Sequence, residues 1–186
     1  AQAREAMTDN AQLFAAAASV CLAVGIATKS SSLPAYVGSA LGAAFAFSVL
    51  ELAAGSIPYP ILAGPHAAVA AILFAAPAKG MKDTAVAVLG GHLVAMGIAL
   101  LQVKYLPAQA AFAAKTIVVM LAVGAQKALG AVHPPAVAVA FIWATSGQDD
   151  PLKVVGPLIG CAILVVCQQV WLKLTVPTPA GKAKKS

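Results

Sequence analysis

The chain has 186 residues, 61% of them hydrophobic and 10% charged, with a mean hydropathy of +0.89, whereas a soluble globular domain carries roughly 25% charged residues. So few charges cannot cover the surface of a fold of this size in water, so an ordinary soluble fold is excluded and lipid is the solvent for most of the chain. The formal net charge of +6 does not point to nucleic acid, because Lys182, Lys184 and Lys185 lie in the tail and the other basic residues mostly flank apolar runs, as membrane-side anchors do.

Residues 1–10 are polar, and the first apolar run continues into a plausible span instead of a signal-peptide cleavage site. Seven apolar runs follow, at 11–28, 35–57, 61–78, 85–103, 112–130, 134–146 and 152–173, within a single transmembrane domain over 11–176 that precedes a basic tail at 177–186. The runs do not alternate as barrel strands do. With 15 Gly and 6% aromatics, they carry the small-residue mixture that lets membrane helices approach closely. The predicted fold class is therefore all-α and polytopic, a helical bundle in the membrane. Cys21, Cys161 and Cys167 all lie in apolar runs without framework spacing, which predicts no disulfide.

The breaks between runs have local causes. Pro58-Tyr59-Pro60 ends the second run by removing backbone donors. Gly64-Pro65-His66 and His133-Pro134-Pro135 each precede a short apolar stretch, and proline is well placed in a first helical turn. A span needs about 20 residues, so 134–146 reads as a half-helix or a broken helix. Sliding the chain on itself by 67 positions lays His66 on His133, Phe74 on Phe141, Gly80 on Gly147 and Asp83 on Asp150. An offset of 66 then lays Gly90 on Gly156 and Gln102 on Gln168. Repeats of about 35–105 and 106–173 result, and three crossings in each would invert the second relative to the first, as in many transporters. With the N-terminal helix the total is seven crossings, placing Lys29, Lys79, Lys82 and the tail opposite Glu5, Asp9, Asp149 and Asp150, in line with the positive-inside bias. If the two short helices re-enter without crossing, the total is five.

His133-Pro134-Pro135 sets an imidazole at a helix start, where first-turn N–H groups and the positive end of the helix dipole favour a small anion. His66 is the corresponding residue of the other repeat, and Lys127 or Lys115 would supply a nearby cation. The competing reading is structural, with prolines explaining the breaks and each His bonding a freed carbonyl. His92 follows Gly90-Gly91 inside a run that should cross, where a function and a helix-packing role are both open. Glu51 is either a proton site or an ion-pair partner for Lys127. Trp143 and Trp171, near run ends, are expected at the membrane interface. No catalytic constellation, metal-ligand spacing or phosphate loop stands out, so the chain is not expected to be an enzyme or to hold a metal.

The stretches Gly64 to Pro77 (GPHAAVAAILFAAP), Leu89 to His92 (LGGH) and Gly130 to Ala136 (GAVHPPA), in this order and spacing, resemble the HPP family of integral membrane proteins over about residues 55 to 173. The resemblance implies four membrane helices, and a membrane protein of bacteria or of plant and algal plastids, where it implies nitrite transport across the chloroplast envelope. Two classes of function follow. One is a carrier or channel for a small anion, most simply nitrite, using His133, Pro134, Pro135, His66, His92 and Lys127, with no cofactor. The other is a structural or pigment-binding subunit of a larger thylakoid complex, in which His66, His92 or His133 ligates chlorophyll. The expected partners are the bilayer and a small anion, with a homo-oligomer or a larger complex also open.

Overall fold

The computed structural model describes residues 2–28, 34–75, 80–106, 111–147 and 150–175. Lys29, Lys79, Asp149 and the basic tail lie outside them. Among the described residues every element is helical: α1 (Gln2–Thr28), α2 (Ala35–Ala54), α3 (Ala63–Ala75), α4 (Met81–Ala85), a π-helical turn at Val86–Gly90, α5 (Gly91–Tyr105), α6 (Ala111–Ala128), α7 (Pro134–Ser146), a 3₁₀ turn at Pro151–Val154, and α8 (Val155–Thr175). In a membrane an unpaired backbone polar group costs several kcal/mol, and helices avoid that cost without a closed barrel.

Among the described residues four helical segments are long and apolar enough to cross a bilayer: Asn10–Thr28, Ala35–Ala54, Met81–Tyr105 and Pro151–Thr175. The last two run continuously through the π turn and the 3₁₀ turn respectively. By contrast α3 and α7 have 13 residues each, about 20 Å at the rise of an α-helix, and fall short of a hydrocarbon core about 30 Å thick. The His-Pro-Pro helix is thus short, as its 13-residue run predicts, and the Pro-His helix matches it. Gly147, at φ 66, ends α7 in the left-handed conformation that only glycine adopts without cost.

The order long, short, long occurs twice, as α2, α3, α4–α5 and as α6, α7, α8. The third helix of each triplet packs on the first two of the other, α8 against α2 and α3, and α5 against α6 and α7, while α3 touches α7 and α5 touches α8. Two half-bundles with exchanged third helices result, each with its own core. The first gathers Phe45, Leu50, Val69, Leu73, Leu164 and Trp171 under α1, and the second Met96, Ala99, Val118, Ala122, Val139 and Trp143. The helix α1 lies on α2 and α8 and has no counterpart on the second half.

Both tryptophans are corrections to the interfacial expectation. Trp171 is 2% and Trp143 3% exposed. The physical reason at Trp171 is room: Gly25 and Gly42 face its ring where a Cβ would collide with it, and Phe45 and Phe74 complete the pocket at ring-centroid distances of 5.9 and 6.5 Å. The exposed aromatics at helix ends are instead Tyr36 and Tyr105, 76% and 70% exposed, the latter beneath the Lys104 ammonium 5.5 Å from its ring centre. The cysteines are free.

Candidate functional site

The His-Pro-Pro segment is placed by the end of α6. Gly130, at φ 67, allows a Schellman closure in which Ala131 N donates to Gln126 O at 2.9 Å and Gly130 N donates to Lys127 O at 3.3 Å. The chain reverses and reaches His133, the N-cap of α7. Gln126, 1% exposed, spans this reversal with its side chain: its Oε1 accepts from His133 N at 3.0 Å, and its Nε2 donates to Gly91 O at 3.0 Å. One amide therefore fixes the loop both to α6 and to the first residue of α5.

This geometry spends the donors at the start of α7. His133 N is bonded to Gln126, Pro134 and Pro135 have no N–H, and Ala136 N donates to His133 O at 3.0 Å. The first-turn N–H groups expected to face an anion are thus absent or engaged, because the two prolines that favour the helix start also remove its donors. What remains is the dipole of the helix and the His133 ring, whose Nε2 is buried and has no partner.

On the other half, α3 starts with Pro65 in its first turn, and His66 is fully buried. Its backbone N donates to Leu62 O at 3.1 Å, its ring Nδ1 lies 2.7 Å from the same oxygen, and Nε2 lies 3.1 Å from Pro157 O on α8. Gly160 makes room, since a Cβ there would collide with His66 Nε2. His92 sits between the halves. Its Nδ1 donates to Val88 O at 2.8 Å in the π turn, and π turns of this kind recur at functional sites. Cys161 Sγ lies 3.4 Å from both of its ring nitrogens. The His92 ring is centred 6.5 Å from that of His66 and 5.2 Å from that of His133.

The three histidines thus form one buried cluster where α3, α5, α7 and α8 converge. His92 is near the middle of the 25-residue segment Met81–Tyr105, and Cys161 near the middle of the 25-residue segment Pro151–Thr175, so the cluster lies at mid-depth. The short helices α3 and α7 start beside this cluster; of the non-helical residues that lead into them Ala131 and His133 are buried, Ile61 and Leu62 are half-buried, and Pro58, Pro60, Gly130 and Val132 are exposed. No group of three or more metal-ligating side chains with metal-binding placement occurs among the described residues.

Three residues named from the sequence lie elsewhere. Lys127 is exposed on the outer side of α6, and Lys115 is exposed near its start. Glu51 is half-buried on α2, a helix of the other half-bundle. The expected Glu51–Lys127 ion pair does not form among the described residues: the two residues sit on helices of opposite halves, and Lys127 faces outward. The inward position belongs to Gln126, which sequence reasoning missed. Its signal is present, since Val118, Ala122 and Gln126 recur every four residues and are 0%, 0% and 1% exposed, a single face of α6. Cys161 was missed because an isolated cysteine in an apolar run carries no spacing signal.

The approach of α5 to the His133 loop depends on Gly91, where an added Cβ would lie 2.7 Å from Ala131 O and 2.7 Å from His133 Cβ. Gly91→Ala is therefore expected to lower stability by about 1–3 kcal/mol through overpacking. Thermal unfolding in detergent checks this against Gly97→Ala, a helical position on α5 with nothing within 4 Å of its Cβ direction and an expected change near zero.

No curated protein and no solved structure matches the chain. A family model does: HPP, transmembrane region, aligns with residues 28–179, a span that contains both half-bundles and all three histidines. With four apolar helices long enough to cross a bilayer and this match over most of its length, the chain is an integral membrane protein and belongs to the HPP family.

Proposed function

We propose that the chain is a carrier or channel for a small anion, most simply nitrite, and that the anion binds among His66, His92 and His133. One observation carries this reading. Three imidazoles, the only histidines in the sequence, meet at the seam of two half-bundles at mid-depth, and one of them holds a buried, unpartnered Nε2. A polar atom left unbonded in an apolar interior costs roughly 1–3 kcal/mol. Binding a ligand oxygen or nitrogen recovers that cost. The dipole of α7 favours a negative ligand at this end of the helix. Nitrite itself, and the chloroplast envelope as its membrane, come from the resemblance of the motifs.

The closed cluster, with exposures of 0%, 0% and 3% for His66, His92 and His133, corresponds to an occluded state. Rocking of one half-bundle on the other would open it to either side in turn, the plan of carriers built from inverted repeats around a midplane site. The seam is suited to this because the imidazoles meet across it by ring packing and a thiol contact, without a salt bridge among the described residues. The test is nitrite uptake into proteoliposomes holding the purified chain, with nitrate and chloride as competitors and empty vesicles as the baseline. Saturable, selective uptake is expected. A preparation that takes up no anion and carries chlorophyll absorbance would contradict transport and support the pigment-subunit alternative, with His133 Nε2 as the open ligand.

A further inference from the structure

The surroundings of His66 and His92 differ in one respect that bears on coupling. Both ring nitrogens of His66 face main-chain carbonyl oxygens, Leu62 O at 2.7 Å and Pro157 O at 3.1 Å. A neutral imidazole carries one N–H, so it donates to one of these oxygens and turns a lone pair toward the other, whereas the doubly protonated ring donates to both. The Pro157 O contact is buried, so bulk water does not replace a donor missing on that side, while the Leu62 O contact is part-buried. His92 differs: one ring nitrogen, Nδ1, meets a carbonyl, Val88 O, and its other polar neighbour is the Cys161 thiol, 3.4 Å from both ring nitrogens. One ring proton satisfies both of its neighbours.

We propose that His66 is the proton site of the carrier, that its ring holds a second proton between Leu62 O and Pro157 O in the occluded state, and that anion and proton cross together. The inference rests on the anion-transport reading given above and adds the coupling ion. Its energetic basis is charge balance. A buried cation needs a counter-charge in contact. The titratable groups on the elements packed around α3 are Tyr36 and Glu51 on α2, His92, Lys104 and Tyr105 on α5, His133 at the start of α7, and Asp150, Lys153, Cys161, Cys167 and Lys173 of the 3₁₀ turn and α8. Neither carboxylate pairs with His66 among the described residues: Glu51 is half-buried without an ion pair, and the Asp150 side chain accepts from Leu152 N at 2.9 Å. The counter-charge is then the anion itself, held between His66 and His133 against His92. Each ligand stabilises the other, so a monovalent anion and one proton cross as an electroneutral pair.

The experiment uses the whole purified chain with ¹⁵N-labelled histidine, reconstituted in lipid at pH 7.5 with saturating sodium nitrite, where the ¹⁵N spectrum has only three imidazoles to report. One ring with both nitrogens protonated is expected, and it should vanish in His66→Gln. If that variant does not fold, the signal is assigned in the wild-type chain, labelled with ¹³C as well, by its correlation through the His66 backbone to Ala67, since His92 is followed by Leu93 and His133 by Pro134. Three singly protonated rings in nitrite, or a doubly protonated ring assigned to His92 or His133, would overturn the inference even where the chain takes up nitrite. In proteoliposomes, an inside-alkaline gradient of one pH unit should raise nitrite accumulation up to about tenfold over no gradient, after subtraction of entry into empty vesicles. An imposed membrane potential should have no effect. Saturable uptake that follows the potential and ignores the pH gradient would leave anion transport standing and remove the proton from it.

Discussion

Replacing His133 by phenylalanine or alanine is expected to lower nitrite uptake by about 10- to 100-fold, the equivalent of one hydrogen bond to a charged group at about 1.5–3 kcal/mol. Phenylalanine keeps a ring in the site and removes both nitrogens. Because Nε2 has no partner within the protein, its removal breaks no internal bond, and the main-chain contacts of residue 133 with Gln126 and Ala136 remain. Uptake should therefore fall while the phenylalanine variant unfolds at nearly the wild-type temperature. Uptake that stays at the wild-type level in both variants would take His133 out of the binding role.

The larger structural effect is expected at Gln126. Gln126→Leu keeps the volume approximately and removes an acceptor and a donor together, leaving Gly91 O and His133 N buried without these partners. Gly91 O keeps its helical donor within α5, so His133 N is the group left unsatisfied, and the loss is about 1–3 kcal/mol. Thermal unfolding in detergent should show it directly, and uptake should be lost because the loop that carries His133 is no longer fixed to α5. Lys127→Leu, one residue on and facing outward, should leave both readouts near wild type. A Lys127 variant that loses uptake while Gln126→Leu retains it would reverse the assignment of the inward position.

The sequence made the helical, membrane-embedded nature of the chain plain, because a composition this apolar leaves no other solvent and the runs lack a two-residue period. It also located both short helices, since Pro65 and the Pro134-Pro135 pair can sit only at a helix start within an apolar run. The assembly was less legible. That His92 would lie between His66 and His133 depends on α5 crossing to the opposite half-bundle, a long-range exchange with no local signature. Tryptophan near a run end is ordinarily interfacial, and its burial at Trp171 required glycines from two other helices, Gly25 and Gly42, to face one ring. At the end of α6 the charge of Lys127 drew the reading toward the wrong side of the helix, although a residue one step along is rotated by about 100°. The four-residue recurrence of Val118, Ala122 and Gln126 marks the inward face better than charge does. The anion site inferred from a bare helix start changed for the same kind of reason, as two prolines shape the start and strip it of N–H groups.

The central claim is that a small anion occupies the histidine cluster, and titrating nitrite into the ¹⁵N-histidine-labelled chain tests it most directly. Saturable displacement of the His133 Nε2 resonance is the expected result, with chloride weaker than nitrite and with the response absent in His133→Ala. Three imidazole signals that stay fixed through a nitrite titration, in a preparation that takes up nitrite in proteoliposomes, would place the anion elsewhere in the protein.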